Sequence, residues 1–132
     1  MPAAKPLESQ KITVAGCGDM GLPMAQALIT AGFDVNGYDV RPLEDFDDFA
    51  NNMIDDVHLI QQQTDILISI VRDEPQTLAL LFDEQAVFSG EHHPSHLVIS
   101  STLSPNFITD LNAKLPSSVV LVDAPMSGAV MS

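Results

Sequence analysis

The feature that most limits what this chain can become is Gly16-Cys17-Gly18-Asp19-Met20-Gly21. It lies between an apolar, β-branched run (KITVA, 11–15) and a segment of helical period over 20–31. A GxGxxG string alone says little, but between a strand and a helix it specifies a backbone path. Gly16 allows a tight turn, Gly18 lets the backbone approach a pyrophosphate, and Gly21 permits close packing of helix on strand. The helix start then offers free N–H groups and the positive end of its dipole to phosphate.

Beyond this turn, apolar runs alternate with amphipathic segments, the pattern of a parallel α/β sheet. Leu22, Ala25, Leu28 and Ile29 share one face of the first helix, and Gly32 stops it. Further strands are expected over 33–38, near Met53, and over 65–71, 97–101 and 119–124; DILISIV (65–71) is apolar enough for a central strand. Pro42 opens a second helix with Leu43, Phe46 and Phe49 as its buried stripe, and a short helix runs through Val57 and Ile60. Asp73 caps a helix with Pro75 just inside it and Leu78, Leu81 and Phe82 as its stripe. Ser104 and Pro105 start the last helix, which carries Phe107, Ile108, Leu111 and Leu115 and is closed by Pro116. Right-handed crossovers then predict a doubly wound, mostly parallel Rossmann sheet, ordered 3-2-1-4-5-6 with helices on both faces. This dinucleotide-binding domain fills 11–132 after a short disordered tail over 1–10.

Charge narrows the choice of ligand. Five Lys plus Arg against eighteen Asp plus Glu leave a formal charge of −13, which argues against nucleic acid and anionic membrane as partners. No apolar run reaches the ~18 residues of a membrane helix, and the first ten residues lack the apolar core of a secretory signal. The single cysteine, Cys17, cannot form an internal disulfide, which points to a reducing cytoplasm; in its turn it reads as a small filler. Glu44, Asp45, Asp47 and Asp48 read as a solvated helix face. His92, His93 and His96 crowd a loop at the edge opposite the expected ligand crevice, so no metal is expected, and His58 reads as a surface or packing residue.

Asp39 ends the second expected strand, 18 residues after Gly21, near the spacing at which an acid meets the adenosine ribose. A carboxylate there accepts hydrogen bonds from both ribose hydroxyls and repels a 2′-phosphate, which favours NAD over NADP. Arg41 pulls the other way, unless it turns to the acidic face of Glu44 and Asp45. Arg41 and Arg72, the two arginines of the chain, both follow carboxyl ends of expected strands, the edge where ligands bind in open α/β sheets. For Arg72 a local pair with Asp73 or Glu74 is the alternative.

From 12 to about 128 the chain resembles the β-hydroxyacid dehydrogenases, which include 3-hydroxyisobutyrate dehydrogenase and tartronate semialdehyde reductase and are related to 6-phosphogluconate dehydrogenase. GCGDMGLPMAQALITAGFDVNGYD (16–39) is similar to the family's cofactor signature, including Pro23 and Met24, which generic Rossmann domains do not require. SSTLSP (100–105) resembles its Ser-Thr-x-x-Pro segment, and DAPMSG (123–128) its substrate motif. Gly16, Gly18, Asp19, Met20, Gly21, Asp39 and Arg41 are the candidate cofactor-binding residues of the turn and the second strand end. The resemblance implies that Val71 and Arg72 flank the adenosine, that Thr102 lies near the nicotinamide ribose, and that Ser127 and Gly128 meet the substrate carboxylate.

Two departures stand out. Ala129 replaces the second glycine of the substrate motif, adding a methyl group where backbone approaches ligand. The family's catalytic lysine sits on a helix beyond that motif, and the chain stops at Ser132; Lys114 precedes the sixth strand and does not replace it. The expectation is therefore the cofactor domain of a hydroxyacid dehydrogenase, a homo-oligomer when complete. It comes without the family's helical C-terminal domain, holds no catalytic residue of its own and is inactive alone. The alternative is a stand-alone dinucleotide-binding or interaction module.

Overall fold

A computed structural model of the chain describes residues 9–16, 21–41 and 43–125. Its strands are β1 (Lys11–Ala15), β2 (Asp34–Tyr38), β3 (Met53–Ile54), β4 (Ile66–Ser69), β5 (His96–Ile99) and β6 (Val120–Asp123). All pair in parallel, in the order β3-β2-β1-β4-β5-β6. The sheet is thus the doubly wound one that the alternating sequence predicts. Register sets Ile54, Tyr38, Ala15, Ser69, Ile99 and Asp123 side by side at the carboxyl ends. The order reverses at β1, so the loops after β1, β2 and β4 converge at one edge, where such sheets bind ligands.

Helices cover the two faces differently. On one face, α1 (Gly21–Thr30) and a 3-10 helix (Leu43–Asn52) lay Ala25, Phe46 and Phe49 against Ile12, Val14 and Val35. On the other, α2 (Val57–Gln63), α3 (Glu74–Leu81) and α4 (Pro105–Lys114) bury Ile60, Leu80, Leu81 and Leu111 against Leu67, Leu97 and Ile99. β1 is buried along all but its first residue, whereas edge strand β6 leaves Val120 and Val122 exposed. Among the described residues no helix is long and apolar enough to cross a membrane.

The local signals explain most boundaries. Gly32 takes φ +101°, and its N–H and that of Phe33 bond the carbonyls of Ile29 and Leu28, the paired bonds of a Schellman stop. Asp73 and Ser104 cap α3 and α4 by accepting from the N–H groups of Gln76 and Phe107, with proline inside each first turn. Asp56, not foreseen, caps α2 in the same way.

Three details differ from the sequence expectation. The segment after Pro42 is a 3-10 helix, not an ordinary α-helix. Leu43, Phe46 and Phe49 recur every three residues, so the tighter winding stacks all three on one edge, and the Asp residues between them and the Asn pair after them do little to favour α. In α3 the fully buried side chains are Thr77, Leu80 and Leu81, with Leu78 and Phe82 only partly covered. Asp65 lies before β4 because it clamps its neighbours: its carboxylate accepts the Lys11 N–H at 2.8 Å, and its carbonyl accepts from Ser95 and His96.

Candidate functional site

The first and last glycines of the turn are held by contact. Gly16 adopts φ +95°, and a Cβ there would stand 2.9 Å from the backbone of Ile70 and Val71, so the chain after β1 lies against the chain after β4. A Cβ on Gly21 would fall 2.1 Å from the Gly16 carbonyl oxygen and 2.9 Å from Ile70 Cγ2. Gly21 therefore lets α1 start directly on the turn it follows, a tighter requirement than packing on the strand alone. The Gly16 N–H donates to the Tyr38 carbonyl at 2.9 Å, tying the turn to the end of β2. Cys17, Gly18, Asp19 and Met20 lie outside the described residues, as do Ser127 and Gly128.

At the end of β2, Asp39 Oδ1 accepts the Arg41 backbone N–H at 3.0 Å, an Asx turn. The Arg41 guanidinium turns back on the same oxygen, Nε to Oδ1 3.5 Å, with Cζ 4.8 Å above the ring of Phe46. The acid that the guanidinium meets here is Asp39 itself. Phe46 is pinned in the core and offers a π face to a cation, so Arg41 gains a carboxylate neighbour and a stacking surface together. Asp39 is 13% exposed at its side chain, and both of these contacts fall on Oδ1. Burial, and secondarily the Asp39 charge, raises the pKa of the neighbouring Tyr38 phenol above 10.0.

From β4, the Arg72 N–H donates to Gln76 Oε1 at 2.8 Å. Its two acidic neighbours are engaged elsewhere, Asp73 in capping α3 and Glu74 in accepting from Ser104 Oγ at 3.3 Å. No ion pair between them and Arg72 forms among the described residues. Ser101, after β5, donates its hydroxyl to the Val71 carbonyl and so braces the loop after β4 from the next strand.

These loops enclose a cleft of about 790 Å³, within the usual ~300–1,000 Å³ of ligand pockets. Gly16, Asp39, Arg41, Val71 and Arg72 all line it. Thr102 is exposed after β5 and does not line it. Sequence reasoning missed Val40, Gln76 and Gln85, which also line the cleft. Gln76 had a readable signal, since it sits in the first turn of the helix after β4. Gln85 had none: it reaches the cleft from the loop after α3, beside Ala86 at φ +54°, where Gln61 Nε2 holds the carbonyls of Ala86 and Val87. Among the described residues no three His, Cys, Asp or Glu side chains gather as a metal site. His93 instead bonds the Pro94 carbonyl and meets the ring of Phe88.

Comparison with known proteins bears on the same region. Residues 11–132 match the family described as the NAD binding domain of 6-phosphogluconate dehydrogenase. The chain is 31% identical over 123 residues to L-threonate dehydrogenase of Cupriavidus necator, covering 91% of this chain and 41% of that protein. It is 26% identical over 118 residues to mitochondrial 3-hydroxyisobutyrate dehydrogenase of Rattus norvegicus, covering 87% and 35%. The structure is similar to that of 3-hydroxyisobutyrate dehydrogenase from Salmonella typhimurium, with a TM-score of 0.75 and 25% identity, over 91% of this chain and 43% of that one. The chain thus spans less than half the length of each.

Proposed function

Since this chain belongs to the β-hydroxyacid dehydrogenases, as their NAD-binding domain of the 6-phosphogluconate dehydrogenase type, we propose that it is the cofactor-holding part of an NAD-dependent enzyme. That enzyme oxidises a 3-hydroxy acid such as 3-hydroxyisobutyrate to its semialdehyde, or runs the reverse. The observation that carries the cofactor-holding role is the convergence of Gly16, Asp39, Arg41, Val71 and Arg72 on one cleft at the reversal point of the sheet, while the substrate class comes from the named relatives.

The residues suit a dinucleotide. Gly16 and Gly21 leave no room for a Cβ, which brings backbone rather than side chains to the mouth of the turn. Phosphates are then held by N–H groups around 18–21, in a chain too acidic to do it with lysine. The Asp39 carboxylate accepts from the ribose, and Val71 and Arg72 flank the adenosine; Thr102 serves the nicotinamide ribose, with Ser127 and Gly128 at the substrate carboxylate. Bound NAD supplies the hydride acceptor, and the chain supplies binding and orientation.

Neither Lys11, paired with Asp34 at 3.1 Å, nor Lys114, beside the hollow between α3 and α4, lines the cleft. By the family resemblance, the lysine that takes the hydroxyl proton is assigned to a helix after the substrate motif, and the complete enzyme to the cytoplasm as a homo-oligomer. Calorimetric titration tests the reading. NADH should bind saturably and more tightly than NADPH, while the chain alone turns over no 3-hydroxyisobutyrate above a no-protein control. Absence of NADH binding overturns the cofactor assignment, and turnover overturns the assignment of the lysine.

A further inference from the structure

We propose that Glu44 and Asp55 act with Asp39 to exclude a 2′-phosphate, making the hollow beside the cleft a charge filter for the cofactor. The inference rests on the reading that Asp39 meets the adenosine ribose. Asp39, Val40, Arg41 and Gln85 line both the 790 Å³ cleft and a second hollow of about 530 Å³. A phosphate ester on a ribose hydroxyl bonded to Asp39 extends across that shared wall. What it meets there is Glu44, from the 3-10 helix, and Asp55, which follows β3.

Three carboxylates and one guanidinium line the second hollow. The guanidinium faces Asp39 through Nε and lies over Phe46, and against three carboxylates it leaves the lining with a net negative charge. A space of this volume is about 10 Å across, roughly one Debye length at 0.1 M salt, so carboxylates on its rim repel a phosphate anywhere inside it. An adenosine ribose with a free 2′-hydroxyl places no charge there. Glu44 and Asp55 are therefore much less adverse to NADH, whose charge sits away on the pyrophosphate, than to NADPH. Both are exposed, so isosteric amides leave the core intact.

The test measures Kd for NADH and NADPH with the parent chain, Glu44→Gln, Asp55→Asn and the double variant. It is run at ionic strengths of about 0.01 M and about 1 M, where the Debye length is ~30 Å and ~3 Å. At low salt each single variant should bind NADPH about threefold more tightly and the double variant about tenfold, as exposed charge interactions allow, with NADH held within about twofold. At high salt the parent and the variants should converge. An NADPH Kd unmoved in the double variant, or equal shifts for both cofactors, overturns the proposal while the reading of Asp39 stands. A parent that binds no NADH overturns both.

Discussion

The two walls of the cleft are built from different materials. One is backbone: Gly16 against Ile70 and Val71, backed by Gly21 against the Gly16 carbonyl, at distances that admit no further atom. The other is side chain: Asp39 and Arg41, joined by a carboxylate contact, with Phe46 of the core stacked behind the guanidinium and Arg41 48% exposed. A backbone wall is decided by shape, so it accepts or rejects a whole ligand class and tolerates no change. A side-chain wall is decided by charge and hydrogen bonding, so it chooses within the class and can be retuned.

The largest expected effect belongs to the backbone wall. Gly21→Ala places a methyl group 2.1 Å from a carbonyl oxygen, and it should abolish NADH binding and lower the thermal midpoint sharply. Gly32→Ala is the matched control, because it also puts alanine on a helix-terminal glycine but meets no atom within 4 Å. Its φ of +101° should cost about 1 kcal/mol, with binding retained. Equal losses in melting and titration for the two variants would erase the distinction between contact and conformation.

A smaller effect is expected at the side-chain wall. Asp39→Ser removes charge-assisted hydrogen bonds to the ribose and the repulsion of a 2′-phosphate, while serine can still close a turn. NADH affinity should weaken by about 1.5–3 kcal/mol and NADPH affinity should rise. An unchanged NADH to NADPH ratio would reduce Asp39 to a turn residue.

The smallest effect sharpens the electrostatics of that wall. Tyr38 is the one tyrosine and the chain has no tryptophan, so tyrosinate absorbance reports this phenol alone. Its midpoint should lie above 10.0, and Asp39→Ser should lower it without bringing it to 10.0, because burial is the larger cause. The sign for stability follows: the folded chain holds this proton more tightly, so the contribution is complete below pH 10 and is lost as pH rises through the folded value. Tyr38→Phe should lack that decline in denaturant melts across the same window.

How much could be read in advance depended on the range of the interaction. The Asp73 and Ser104 caps, the Gly32 stop and the limits of β1 were legible because each is settled within about one turn of helix or one strand. The 3-10 winding was half legible, in the three-residue spacing of Leu43, Phe46 and Phe49, but that spacing also fits one side of an α-helix. The Arg41 contacts and the brace from Ser101 to Val71 were not legible, since no periodicity announces which of several nearby acids an arginine meets or which carbonyl a serine reaches.

The sequence by itself determined the alternation of strands and helices and their winding order. It also determined the edge to which Gly16, Asp39, Arg41 and Arg72 are carried, because local hydrophobic period and the handedness of crossovers leave few alternatives. Only the tertiary structure decided that Gly21 must be bare for the sake of Gly16, that Arg41 turns to Asp39 and Phe46, and that Gln85 completes the cleft from a loop 69 positions beyond Gly16. Those outcomes are set by atoms packed at van der Waals distance from segments far apart in the chain, where a difference of an ångström selects the partner and no residue pattern records it.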